Sequence, residues 1–193
     1  MLIALQKKKE NIAEYLIYMW QVEDLLRACN LNEEQVEEKL VARFRQIPDL
    51  GEDTLSQIRT WYSDLTQMML SEGKRNGGHL QINENVIIEL TDLHLRLMKH
   101  GNDAIYTACF YNTLPMIVEL RAKEGADKKG EIETCFTALY GILMLRLQGK
   151  EISEETDVAM KQISKFIALL AEKYRLYKSG ELELEVKWNT ITS

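Results

Sequence analysis

Tyr15-Leu16-Ile17-Tyr18-Met19-Trp20 places six apolar or aromatic residues in succession. At about 100° per residue such a run covers every side of an α-helix, whereas a surface helix keeps one polar face. The segment from Asn11 to Cys29 is therefore expected to form a helix covered on most sides. It is either the central pillar of a bundle or a helix whose second face is closed by a partner chain. Its inward stripe is Ile12, Tyr15, Met19, Val22, Leu26 and Cys29, and Leu16, Ile17, Trp20 and Leu25 widen it.

The same rhythm recurs along the chain. Asn30 suits a left-handed stop, and Asn32 followed by Gln35 reads as a capping box. A second helix carries Val36, Leu40, Phe44 and Ile47 inward and stops before Pro48. A third, capped by Asp53 or Thr54, keeps a heptad seam of Leu55, Ile58, Tyr62, Leu65 and Met69. A glycine-bearing loop from Ser71 to Gly78 follows, and Asn83 is placed to cap a fourth helix with the seam Val86, Leu90, Leu93 and Leu97. Ile88 and Leu95 lie off that seam and suggest burial on a second side. The fifth helix, from Asp103 to Glu124, contains Pro115, which removes a donor, crowds the Tyr111 carbonyl and predicts a kink or break. The sixth, Gly130 to Gln148, presents Ile132, Phe136, Leu139, Leu143 and Leu147 on one face. Its Gly141 suggests close approach of a neighbouring helix. The last opens after Ser153 and turns Val158 or Ala159, Ile163, Phe166, Leu170, Tyr174 and Tyr177 inward.

Beyond Gly180 the period changes to two: Leu182, Leu184, Val186 and Trp188 alternate with Glu181, Glu183, Glu185 and Lys187. That is the pattern of an extended strand in need of an edge or groove. It is an arm laid on the bundle, an arm laid on a partner, or a disordered tail. The expectation is an all-α, single-domain bundle of six or seven helices over residues 1–180, with a short extended C-terminal arm over 181–193.

Composition narrows the function more than it identifies it. The 193 residues are 46% hydrophobic and 28% charged, ordinary values for a globular domain. A net charge of −6 argues against a nucleic-acid surface. Lys7-Lys8-Lys9 is too short a basic run to change that and reads as a solvated first turn. Cys29, Cys109 and Cys135 are odd in number and lie in apolar helical stretches, unlike a secreted disulfide framework. With no signal-like N-terminus and no apolar span of about 18 residues, the chain reads as cytoplasmic and off the membrane.

Motifs of chemistry are missing from the sequence. The residues three before His79, His94 and His100 are Asn76, Thr91 and Leu97, so no Glu-x-x-His pair exists for a di-iron site. No paired histidines suit zinc, no Cys-x-x-Cys occurs, and no phosphate-binding loop is present. No metal or cofactor is therefore assigned. The best polar constellation is His79, Asp92, His94 and Arg96, with Asp92 and Arg96 four apart as a surface pair. An inward Glu23 or Asp24 needs a cation, which Arg27, Arg121 or Arg146 could supply.

The stretches Asn11 to Asp24, Gly78 to Asn83, Leu90 to Leu97, Thr113-Leu114-Pro115 and Glu131 to Phe136 carry a resemblance to an uncharacterised domain-of-unknown-function family known mainly from Bacteroidetes. The resemblance spans nearly the whole chain. It implies a bacterial, intracellular, all-helical protein and transfers no activity or site.

Two functions follow as expectations. The first is a non-enzymatic protein acting by association, as a homodimer or with a protein partner, through Tyr18, Trp20, Leu182, Leu184, Val186 and Trp188. The second is a small-molecule binder or enzyme with an interhelical pocket near His79, Asp92, His94 and Arg96.

Overall fold

The computed structural model describes residues 2–100, 102–123 and 129–184. Among these the chain is all-α, with eight helices and no strand. They are α1 (Leu2–Glu10), α2 (Ile12–Ala28), α3, α4 (Glu52–Ser71), α5 (Gln81–His100), α6 (Ala104–Lys123), α7 (Glu131–Leu147) and α8 (Glu154–Lys178). α3 is composite: an α-turn Glu33–Val36, a wider π-turn Glu37–Val41, and a last turn Ala42–Phe44. None is long and apolar enough to cross a membrane. One helix more than expected comes from the N-terminus, where Lys7-Lys8-Lys9 closes a separate helix, its cations favourable at the helix C-terminal end.

The chain divides into two compact units, Met1–Glu10 with Glu14–Val86, and Asn11–Ala13 with Ile87–Ser193. In the first, the apolar run of α2 behaves as its pattern requires: Tyr15, Leu16, Met19, Trp20, Val22 and Leu26 are all buried. Val36 and Leu40 of α3 are buried too, as is the complete α4 seam. Asn30 is left-handed at φ 54°, and so is the buried Leu31 at φ 52°. The Asn32 side chain accepts the Gln35 N–H at 2.9 Å, the cap read from sequence. α4, by contrast, is preceded by Gly51 with no side-chain cap, and Asp53 lies inside its first turn.

In the second unit Leu90, Leu93 and Leu97 of α5, Tyr106, Phe110 and Ile117 of α6, Ile132 and Phe136 of α7, and Ile163, Phe166 and Leu170 of α8 are buried. Ile88 and Leu95, expected to be covered, are 61% and 60% exposed. Helix α6 runs through Pro115 without a break. Asp103 caps it by accepting the Tyr106 N–H at 2.9 Å, and the Lys173 ammonium at 2.6 Å holds the Asp103 carboxyl below its usual range. Ser153 caps α8 through the Thr156 N–H.

Helix α7 departs most from its pattern. Ile132 and Phe136 are buried, but the positions from Thr137 to Leu145 are only partly buried, Gly141 is exposed and Leu147 is 66% exposed. Gly141 has no neighbour within 4 Å of where a Cβ would stand, so it is not the close-packing glycine that its mid-helix position suggests.

Residues 185–193, with Val186 and Trp188, lie outside the described residues. The arm is described only to Leu184, with the Leu182 N–H bonded to the Leu176 carbonyl at 3.0 Å and both leucines half-buried.

Candidate functional site

The most constrained polar group of the first unit is Glu23, on α2 and fully buried. One carboxyl oxygen accepts the Leu80 N–H at 2.9 Å and the Asn83 side-chain N–H at 2.7 Å. The other lies 2.7 Å from His79 Nδ1 and 3.9 Å from Arg27. A buried carboxyl group is tolerated only when donors surround it. Here they come from His79 and Leu80 before α5 and from Asn83 in its first turn, so Glu23 caps that helix from a different element. Asn83, read from sequence as the cap, instead sits buried in the first turn of α5 and donates to Glu23. Its Oδ1 finds no hydrogen-bond partner among the described residues.

Arg27 fixes the same loop from the other side. Its Nε donates to the Lys74 carbonyl at 3.1 Å, one terminal nitrogen donates to the Gly78 carbonyl, and the other meets Asp24 Oδ1 at 2.7 Å. Gly78 adopts φ 76°, a left-handed turn that a side chain disfavours. The result aims His79 onto Trp20, whose ring lies parallel to it at 4.0 Å between centroids. The His79 side chain remains 32% exposed. An imidazole held at Nδ1 by a carboxyl group, and partly exposed, can engage a polar ligand through its second ring nitrogen, Nε2.

The other residues of the expected constellation are placed differently. Asp92 and Arg96 pair with each other at 2.8 Å on an exposed face of α5. His94 is buried in the second unit, with Nδ1 2.7 Å from the Tyr106 hydroxyl and Phe110 and Phe166 packed around its ring. Burial pushes its pKa down to about 4 and pushes that of Tyr106 up. Nε2 lies 3.9 Å from Glu131, too long for a hydrogen bond. A neutral imidazole accepting from the tyrosine is the consistent state. Arg146, offered by the sequence as a partner for Glu23, bonds Asp157 at 2.7 Å.

All three thiols are free and buried, and burial raises each of them, Cys135 to about 12. They are held as thiols rather than as nucleophilic thiolates. Among the described residues no group of three or more His, Cys, Asp or Glu side chains is placed to hold a metal ion.

The first unit also carries an open groove of about 170 Å³. Its walls include Ile3, Tyr18, Phe44, Ile47, Trp61 and Tyr62, with Thr54 and Gln57 as polar groups. Phe44 and Ile47 continue the α3 stripe that buries Val36 and Leu40, but nothing of their own unit covers them completely, and Ile47 is 48% exposed. Of the two α2 aromatics expected at an interface, Tyr18 lines this groove, whereas Trp20 is 2% exposed and committed to His79.

Residues 1–181 match the family described as a domain of unknown function, DUF4924. The chain belongs to that family. The match covers both units of this DUF4924 protein and stops before Leu182. No curated protein and no solved structure matches the chain.

Sequence reasoning singled out Glu23, Arg27 and His79 separately. The link between Glu23 and His79 spans 56 residues and has no local period that could reveal it. Leu50 and Trp61 of the groove carried no signal beyond their apolarity.

Proposed function

We propose that this protein works by association, as a homodimer, through the uncharged face of α7. From Thr134 to Leu145 the sequence holds no charged side chain, and from Thr137 onward none of those positions is fully buried. That combination carries the reading. A surface helix of a monomer alternates apolar and polar faces, and one left apolar on all sides is a place where another surface fits.

A second copy is the partner that the charge favours. The chain carries −6, so two copies repel except where charge is absent. A two-fold contact sets each patch against itself, which penalises any charge at its centre. A stable interface removes about 800 Å² per partner, more than two turns of one helix supply. In the same unit, α6 also exposes Tyr111 and Val118, seven apart and 58% and 56% exposed.

Sedimentation of the full chain from nanomolar to micromolar concentration tests this. A dimer that dissociates in Ile142→Glu and in Leu145→Lys, with the helical spectrum retained, supports it. A wild-type chain that stays monomeric throughout refutes it.

A second reading rests on the Glu23–His79–Trp20 arrangement: a small polar ligand or substrate taken at His79 Nε2. A metabolite screen by thermal shift that finds a stabilising compound for the wild type and not for His79→Gln supports it. No compound-dependent shift in a broad screen counts against it.

A further inference from the structure

The groove of the first unit has the make-up of a small-molecule site, and we propose that it binds a neutral, flat aromatic compound of one or two fused rings bearing a hydroxyl or carbonyl oxygen. The inference depends on neither the α7 contact nor His79.

One wall is a single face of α4. Thr54, Ile58 and Trp61 stand four and three residues apart and share that face, with Gln57 and Tyr62 beside them. From Thr54 to Trp61 the helix rises about 10 Å, a length that suits two fused rings with a substituent. The rest of the lining includes Tyr18 of α2, Phe44 at the end of α3, and Ile47 and Leu50 of the turn that follows. In that turn the Leu50 N–H reaches the Ile47 carbonyl at 3.4 Å and Asp49 is left-handed at φ 61°. The groove measures about 170 Å³. An enclosed apolar cavity of about 150 Å³ holds benzene, so an open groove of this size takes one ring fully or two in part.

The walls leave ring surface to be met. Tyr62 stands edge-on to Trp61 at 5.0 Å between centroids and tilted to Phe44 at 6.3 Å. Tyr62 is buried, but Trp61 and Phe44 are only partly so. An aromatic ligand gains edge-on or offset contact with such rings beyond the area it buries.

The polar atoms narrow the class further. The hydroxyl of a buried tyrosine ordinarily finds a hydrogen-bond partner. Here the Tyr18 and Tyr62 hydroxyls bond to no described residue, although Tyr62 is only 5% exposed. The Gln57 amide is uncommitted as well, whereas Gln67 on the same helix donates to Glu33 at 2.8 Å. Burial raises the Tyr18 phenol; burial and the nearby Tyr18 push Tyr62 up to about 12, against the opposing pull of Arg43. Both phenols are therefore protonated at neutral pH and offer O–H donors to a ligand oxygen. No charged side chain lines the groove, so an ionised ligand would lose water there without gaining a counter-charge.

The experiment follows the amide NMR spectrum of the full chain during titration with 2-naphthol, naphthalene or 2-naphthoate. 2-Naphthol is expected to bind with shifts centred on residues 44–62. Naphthalene should bind about tenfold more weakly, as the loss of one hydrogen bond implies, and 2-naphthoate more weakly than 2-naphthol. Ile47→Trp fills the opening from a position that is 48% exposed, so the fold should survive while 2-naphthol binding is lost. The chain carrying both Tyr18→Phe and Tyr62→Phe should bind 2-naphthol no better than naphthalene and leave naphthalene affinity unchanged, an outcome that loosened packing alone would not give. His79→Gln should leave all three affinities as they are.

No binding of 2-naphthol at millimolar concentration overturns the inference, and so does binding that Ile47→Trp leaves intact. Equal affinity for naphthalene and 2-naphthol, or tighter binding of 2-naphthoate, overturns the assigned chemistry. Binding lost in His79→Gln but kept in Ile47→Trp would move the ligand to His79, overturning this inference and supporting the second reading above.

Discussion

Removing Glu23 should be the most damaging single change in the first unit, because three donors converge on one buried carboxyl group. In Glu23→Ala the Leu80 N–H and the Asn83 amide, both fully buried, lose their acceptor. Each buried donor left without a partner costs about 1–3 kcal/mol. His79 is part-exposed and can turn to water, so it adds little. The sum is about 2–6 kcal/mol, a large share of the 5–15 kcal/mol typical of a domain.

Glu23→Gln separates geometry from charge. Its remaining oxygen can serve Leu80 and Asn83, and its amide then faces His79 Nδ1, which must become an acceptor. The loss should be about 1–2 kcal/mol, and the His79 ring proton should move from Nδ1 to Nε2. Urea unfolding followed by circular dichroism gives the energies, and nitrogen NMR of the imidazole gives the tautomer. Should Glu23→Ala stay within 1 kcal/mol of wild type, or Gln cost as much as Ala, the three-donor account is refuted.

Other outcomes can be stated more briefly. His94 is held neutral with its pKa near 4, below the roughly 6.5 of an unfolded histidine, so the unfolded state takes up a proton that the folded state refuses as pH falls. Stability is full above pH 6.5 and drops by at most about 3 kcal/mol toward pH 4, and His94→Gln should flatten that slope; an unchanged slope would clear His94 of the effect. Pro115→Ala restores a donor for the Tyr111 carbonyl at an exposed position and should raise stability by about 1–3 kcal/mol in thermal melts, whereas a loss would mean that the proline geometry is needed. Gly141→Ala, with open space around it, should stabilise the chain by about 1 kcal/mol in thermal melts, and a loss of stability would mean that a neighbour closes on that position.

The fold was legible where a local period wrote it. The α2 run, the seams of α4 and α5 and the caps at Asn32 and Ser153 depend on residues three to seven apart, and each stands as its spacing implies. Pro115, at an exposed position, did not break α6, because a long helix packed along its other face tolerates one missing bond. Asn83 has the residue type of a cap yet serves Glu23, because a buried acceptor from another helix competes for its amide. Apolar periodicity also says which positions want cover without saying whether the chain supplies it. Phe44, Ile47 and Leu147 carry the same pattern as buried neighbours and remain exposed in whole or part.

The π-turn Glu37–Val41 bears on the length of the chain rather than on its stability. A widened turn holds one residue more than a regular one, with Leu40 and Val41 both buried in succession. A DUF4924 chain one residue shorter between 37 and 41 would close to ordinary α-helix, keeping Val36 in the core and Phe44 at the groove. Length differences among relatives should therefore collect at this turn, and an alignment that pushes such a gap into the loop before α4 would misplace every residue between the two.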